Sequence, residues 1–220
     1  MKNYTKALLF LLITSVSISS CKDDSPYYDV ENKLQEFDGN AIAYLQAQPN
    51  TYDSLLKVLE RLPELKNVLT NEQVTLFAPT NQNFIAALSD LNFVRKSEGR
   101  TLINLNTATI EELNIMMCKY IIAEKRTTDA FKAFLDGIYV PSIKIGEQMH
   151  IQYNKLDASG YVAGGPQSVT FSDTKNGFVR AYWERAQISV VNIKTSNAII
   201  YVLNPLHVFG FNEFTSRLNK

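Results

Sequence analysis

The sequence predicts an α+β fold, with a helix-rich N-terminal half and an antiparallel β-rich C-terminal half. Three observations carry that prediction. Apolar residues recur every three or four positions from Ala41 to Leu135. Beyond Gly137 the period drops to two. The two patterns do not alternate along the chain, as a parallel βαβ sheet would require. A chain of 220 residues that is 45% apolar can fill one core of ordinary size.

Asn40 supplies a cap ahead of Ala41-Ile-Ala-Tyr-Leu-Gln-Ala-Gln48, a helical run that Pro49 stops. Thr51 or Asp53 caps a second run from Leu55, whose apolar spacing continues to Leu62. Val74-Thr-Leu-Phe-Ala78 is a short apolar strand closed by Pro79. Thr80 or Asn81 then caps a helix with Phe84, Ile85 and Leu88 on one side. The cap-rich stretch Asn104 to Thr109 introduces a long helix from Ile110 to Ile122, with apolar positions 110, 113, 116, 117, 120 and 121. A short helix follows from Thr128 to Leu135 and ends at Gly137.

Strands are expected at Met149 to Tyr153, Ser168 to Phe171, Phe178 to Tyr182, Ile188 to Ile193 and Ile199 to Leu203. Turn-forming combinations separate them, at Asp157 to Gly160, Gly164-Gly165-Pro166, Asn176-Gly177 and Ser196-Asn197. Asn176-Gly177 is the strongest hairpin signal of these. The aromatic tail Phe209-Gly-Phe211-Asn-Glu-Phe214 is expected to fold back onto the core.

Ahead of the domain, Lys2 and Lys6 lead into the apolar run Ala7 to Val16, and small residues Ser19 and Ser20 precede Cys21. A positive start, a short apolar run and a small-residue cleavage site make a secretory signal peptide. The run falls short of the roughly 20 apolar residues a spanning helix needs. Cysteine directly after the cleavage site resembles a bacterial lipobox, in which Cys21 carries the lipid. Lys22-Asp23-Asp24 resembles the acidic export tag of Bacteroidetes-type lipoproteins, which implies a place on the outer membrane facing the cell exterior. The expected organisation is a signal peptide over 1–20, a lipidated tether over 21–30 and one domain over 31–220.

Charge and composition narrow the chemistry. Lys and Arg total 22 against 22 Asp and Glu; removing Lys2 and Lys6 leaves 20 − 22, or −2, for the mature chain. No basic stripe or stacking motif recommends nucleic acid as a partner. Cys118 sits in an apolar run with only Lys119 beside it, which suits a buried thiol and not a nucleophile. His150 and His207 stand far apart without companion ligands, so each reads as structural, surface or half-buried, and no metal is expected. Glu111 and Glu112 fall in a helix first turn, where acids favour the dipole. No nucleophile elbow or phosphate loop is present, so the sequence reads as non-enzymatic and without a cofactor.

Binding is better supported. Phe178-Val-Arg-Ala-Tyr-Trp183, followed by Glu184 and Arg185, mixes rings with charges. On a strand, Phe178, Arg180 and Tyr182 would share one face and Trp183 would take the other. This composition suits stacking on sugars or protein recognition.

Two segments together resemble the fasciclin-like domain. One is Val74-Thr-Leu-Phe-Ala-Pro-Thr-Asn81 with Phe84. The other is Ile188-Ser-Val-Val-Asn-Ile193 through Thr195-Ser-Asn197 to Ile199-Ile-Tyr-Val-Leu203-Asn-Pro205. The resemblance covers Phe37 to Phe214. It implies a non-catalytic module for cell adhesion or contact with cell-surface or matrix proteins. The Tyr-His pair of many members is replaced here by Lys119 and Tyr120, and the usual Asn-Gly-x-x-His closing pattern is absent. A glycan-binding accessory role beside an outer-membrane nutrient transporter is the alternative.

Overall fold

A computed structural model describes residues 35–155 and 167–220. The leader, Cys21, the Lys22-Asp23-Asp24 tag, the tether and the turns at 157–160 and 164–166 lie outside those residues. A two-residue strand, β1 (Gln35–Glu36), is followed by the helices α1 (Ala41–Gln46), α2 (Asp53–Arg61) and α3 (Pro63–Asn71). Asn40 caps α1 as expected, its Oδ1 accepting the Ala43 N–H at 2.9 Å. The second run ends beside Leu62 as expected, and α3 is an additional helix with no counterpart in the sequence reading: Pro63 occupies its first helical position, where the missing N–H costs nothing.

Strand β2 (Val74–Ala78) is buried along its whole length, and α4 (Asn81–Ser97) follows it. Thr80 is the N-cap, and Asn83 Oδ1 accepts the Thr80 N–H at 2.6 Å. Asn81 reaches back instead to α2, where its Oδ1 accepts the Ser54 N–H at 2.8 Å. Phe84 is buried, but Ile85 is 55% exposed and does not share the core face expected of it.

The long helix expected over 110–122 is corrected. α5 ends at Cys118, and Ile121–Ala123 forms β3. Ile121 and Ile122 pair with Leu76 and Thr75 of β2, and Tyr120 O accepts the Phe77 N–H at 2.9 Å. Two adjacent buried isoleucines fit a helix face and a central strand equally well, and β2 selects the strand. The short helix α6 (Asp129–Lys132) precedes β4 (Ile138–Pro141), a strand that was not expected.

The remaining strands are β5 (Gln148–Lys155), β6 (Gln167–Asp173), β7 (Glu184–Lys194) and β8 (Ala198–Leu203), before a final helix α7 (Phe214–Leu218). Sheet order is β3-β2-β8-β7-β6-β5-β4, with β1 added in parallel to β7. An antiparallel bridge from Ile122 to Ser142 joins the region of the first strand to the end of the last, so the sheet curls towards closure. The C-terminal strands pair antiparallel, as expected. The first half enters the sheet through β2, which pairs with β8 in parallel. Inside the curl, Phe77 of β2 stacks on Phe171 of β6 with centroids 3.7 Å apart, and on Tyr201 of β8 at 5.1 Å.

Asn197 ties the last turn to the helical layer. Its Oδ1 accepts the Ala41 N–H, and its Nδ2 donates to Leu69 O and Glu72 O. The segment after β8 returns over the core as expected, burying Phe209, Phe211 and Phe214.

Candidate interaction surface

The segment 178–182 is not a strand. β6 stops at Asp173 and β7 starts at Glu184, leaving a long loop with a single 3₁₀ turn over Arg180–Tyr182. The predicted turn is real but displaced by one residue. Lys175 (φ 52°) and Asn176 (φ 53°) hold its two central positions, and Gly177 N–H donates to Thr174 O at 2.9 Å. The strands therefore do not continue directly out of that turn, and the strand expected from Phe178 to Tyr182 is absent; strand geometry begins only at Glu184.

This loop separates the four candidate residues into two roles. Phe178 is 80% exposed and Tyr182 77% exposed, with Val179 also open to solvent. Trp183 is buried and forms the floor. Its Nε1–H donates to Gly177 O at 2.8 Å, and its ring lies 4.8 Å from His150 and 5.8 Å edge-on from Tyr139. The Arg180 guanidinium stands over the indole at 5.4 Å and donates from Nη2 to Asp136 O at 2.9 Å. Arg185 Nη2 donates to Arg180 O at 2.7 Å.

These bonds fasten the loop to the turn before β4, which presents Phe134 and Leu135 to solvent. Gly137 makes the approach feasible. Its φ is +79°, and a Cβ there would lie 2.5 Å from His150 Cε1 and from Ile151 O. His150 Nε2–H donates to Asp136 O at 2.8 Å, and burial keeps the ring neutral by lowering its pKa. The result is a braced loop that holds apolar rings out in water. An exposed Phe and Tyr on a pre-ordered backbone lose little conformational entropy when a partner covers them.

A second group of partners was not legible in the sequence. Lys119 is 1% exposed, and its Nζ meets Asp173 at 2.7 Å, Glu147 at 3.0 Å and Glu213 at 3.0 Å. Burial alone would depress the Lys119 pKa, but the hydrogen bond and charge of Asp173, with the hydrogen bonds to Glu147 and Glu213, raise it. Burial would likewise raise Glu213, yet Lys175, Arg217 and Lys119 hold it down to about 2. Each charge here has a partner of opposite sign, so the group forms a buried ionic clasp.

Both histidines are more buried than expected. His207 packs against Tyr120, whose Oη lies 2.8 Å from His207 Nε2 and accepts the Gly210 N–H at 2.7 Å. Cys118 is buried, and desolvation pushes its thiol up to about 11. Glu112, in the first turn of α5, is paired with Arg217 and Lys220. Among the described residues no cluster of three or more His, Cys, Asp or Glu side chains is arranged to hold a metal ion.

A further apolar exposure runs along the outer side of α4, where Ile85 and Phe93 flank a shallow groove with Leu102. Asn92 holds the 101–103 segment against the helix there, its Nδ2 donating to Ile103 O and its Oδ1 accepting the Ile103 N–H, both at 2.8 Å.

Three comparisons bear on the chain. The family model for the Fasciclin domain matches residues 50–206. No curated protein matches. One similar solved structure is a FAS1 domain pair from the insect cell adhesion molecule Fasciclin I. It is 14% identical with a TM-score of 0.44, over 72% of this chain and 45% of that one. The chain thus spans less than half of that domain pair.

Proposed function

The chain belongs to the fasciclin-domain family, and on that premise we propose that it is a lipid-anchored surface module, without catalytic activity, that binds a cell-surface or matrix protein. Fasciclin domains are associated with cell adhesion or protein interaction. The observation that carries the reading is the β6–β7 loop, in which Trp183, Arg180 and Arg185 are spent on holding Phe178 and Tyr182 in solvent. Large exposed rings on a rigid support are the usual anchors of a protein interface.

In this account Cys21 carries the lipid, Lys22-Asp23-Asp24 directs the protein outwards on the outer membrane, and the tether gives the domain its reach. Acyl chains anchor at about 0.8 kcal/mol per buried methylene, enough to retain a domain without a spanning helix. The test is adherence of intact cells that display the full chain. Phe178→Ala with Tyr182→Ala should lower adherence at unchanged surface level, and Cys21→Ser should release the protein from the membrane fraction. Unchanged adherence in the double variant would sink the loop as the contact face.

A glycan reading has one observation in its favour, the exposure of the Tyr182 and Phe178 rings in the same short segment as the exposed Arg180 and Arg185 side chains. It would make the chain an accessory subunit of an outer-membrane transporter. Retention of the protein on a polysaccharide column, lost on Tyr182→Ala, would favour it.

A further inference from the structure

We infer that the segment Phe211–Glu213, beyond the family-matched residues, is the positioning element of the β6–β7 loop. Five contacts carry this, and they grip both ends of the loop. At the start, Lys175 Nζ donates to Phe211 O at 3.1 Å and pairs with Glu213. At the end, Asn212 Nδ2 donates to Glu184 Oε2 at 2.8 Å, on the first residue of β7. Beneath them, Lys119 joins Glu213 to Asp173, the last residue of β6.

The backbone of the segment is shaped for the task. Phe211 (φ 51°) and Asn212 (φ 62°) are consecutive left-handed residues, and a bulky aromatic rarely adopts that conformation. Held there, Phe211 places its ring 5.0 Å from Tyr120 in the core while its carbonyl faces Lys175. Strain of this kind persists only where the surroundings over-determine it, and it gathers at functional elements. The arrangement makes Lys175, Asn212 and Glu213 positioning residues, which fix where Phe178 and Tyr182 stand.

The inference rests on the loop being the contact face, and the test separates the two. Amide hydrogen exchange on the full chain is compared for wild type, Lys175→Met, Lys175→Arg and Asn212→Gly. Lys175 lies at the rim with 30% of its side chain exposed, so its loss leaves the core intact. Glycine at 212 removes the link to Glu184 while favouring the left-handed backbone. Exchange over 174–183 should quicken about tenfold in Lys175→Met, the loss of one charge-assisted anchor, and return to wild type in Lys175→Arg. Asn212→Gly should quicken the 180–185 end. Unchanged exchange in the loop, or equal acceleration throughout the domain, would overturn the inference. Adherence of the Phe178→Ala, Tyr182→Ala double variant is a separate readout, and its failure would remove the contact face without altering the measured coupling.

Discussion

Acidification should weaken the fold well before carboxylates begin to titrate, and His207 is the main reason. The ring is 8% exposed, and desolvation lowers its pKa from 6.5 to about 4. In the unfolded chain it binds a proton near 6.5, so the stability conferred by the neutral ring is complete above that pH and is lost as pH falls towards 4. The two values give a loss of about 2 kcal/mol by pH 5 and about 3 kcal/mol by pH 4. Against a typical total of about 5–15 kcal/mol, that is a large share. Urea unfolding followed by circular dichroism at pH 7, 6 and 5 measures it. His207→Gln keeps an acceptor for Tyr120 and should leave only the smaller loss due to His150, whose pKa is also lowered by burial. The same fall from pH 7 to pH 5 in wild type and His207→Gln would refute the reasoning. Below about pH 4.5 Glu213 adds to the loss in the same direction, because its folded pKa is depressed to about 2.

Other consequences follow from the buried groups. Lys119→Met should cost about 3–5 kcal/mol in urea unfolding, since it removes the buried cation shared by Asp173, Glu147 and Glu213 and leaves the 1%-exposed Asp173 carboxylate with Lys175 alone. Trp183→Phe should destabilise by about 1–3 kcal/mol and quicken exchange at Gly177–Trp183, because Gly177 O loses the indole donor. Cys118 should resist a thiol reagent at pH 8 in the native protein and react only on unfolding, as its pKa is raised to about 11. Fast labelling of the folded chain would contradict its burial.

Local chemistry made much of the fold legible. Asn40 and Thr80 announce their helices, and Pro79 and Thr195-Ser-Asn197 mark where strands end. Two errors share a cause. Ile121-Ile122 suits either period, and Phe178 to Tyr182 alternates without being a strand, so in each case tertiary pairing decides. The candidate ring residues were found because an aromatic run among charges is visible in one dimension. Their division into a buried floor and exposed contacts was not, since it depends on Asp136 and Gly177 meeting side chains across turns. The clasp was equally hidden. Lys119, Asp173 and Glu213 lie 54 and 94 positions apart from the lysine, a separation to which no periodicity is sensitive.

The most direct test of the contact face is photocrosslinking on intact cells, with a benzophenone side chain placed at Tyr182 and, as a control, at Phe93 on α4. Both positions are 77% exposed, so reactivity differs only through what each face touches. The account predicts a protein adduct from position 182 that is absent from position 93 and lost when Phe178→Ala is added. Adducts from position 93 alone would contradict it and move the interface to the α4 groove.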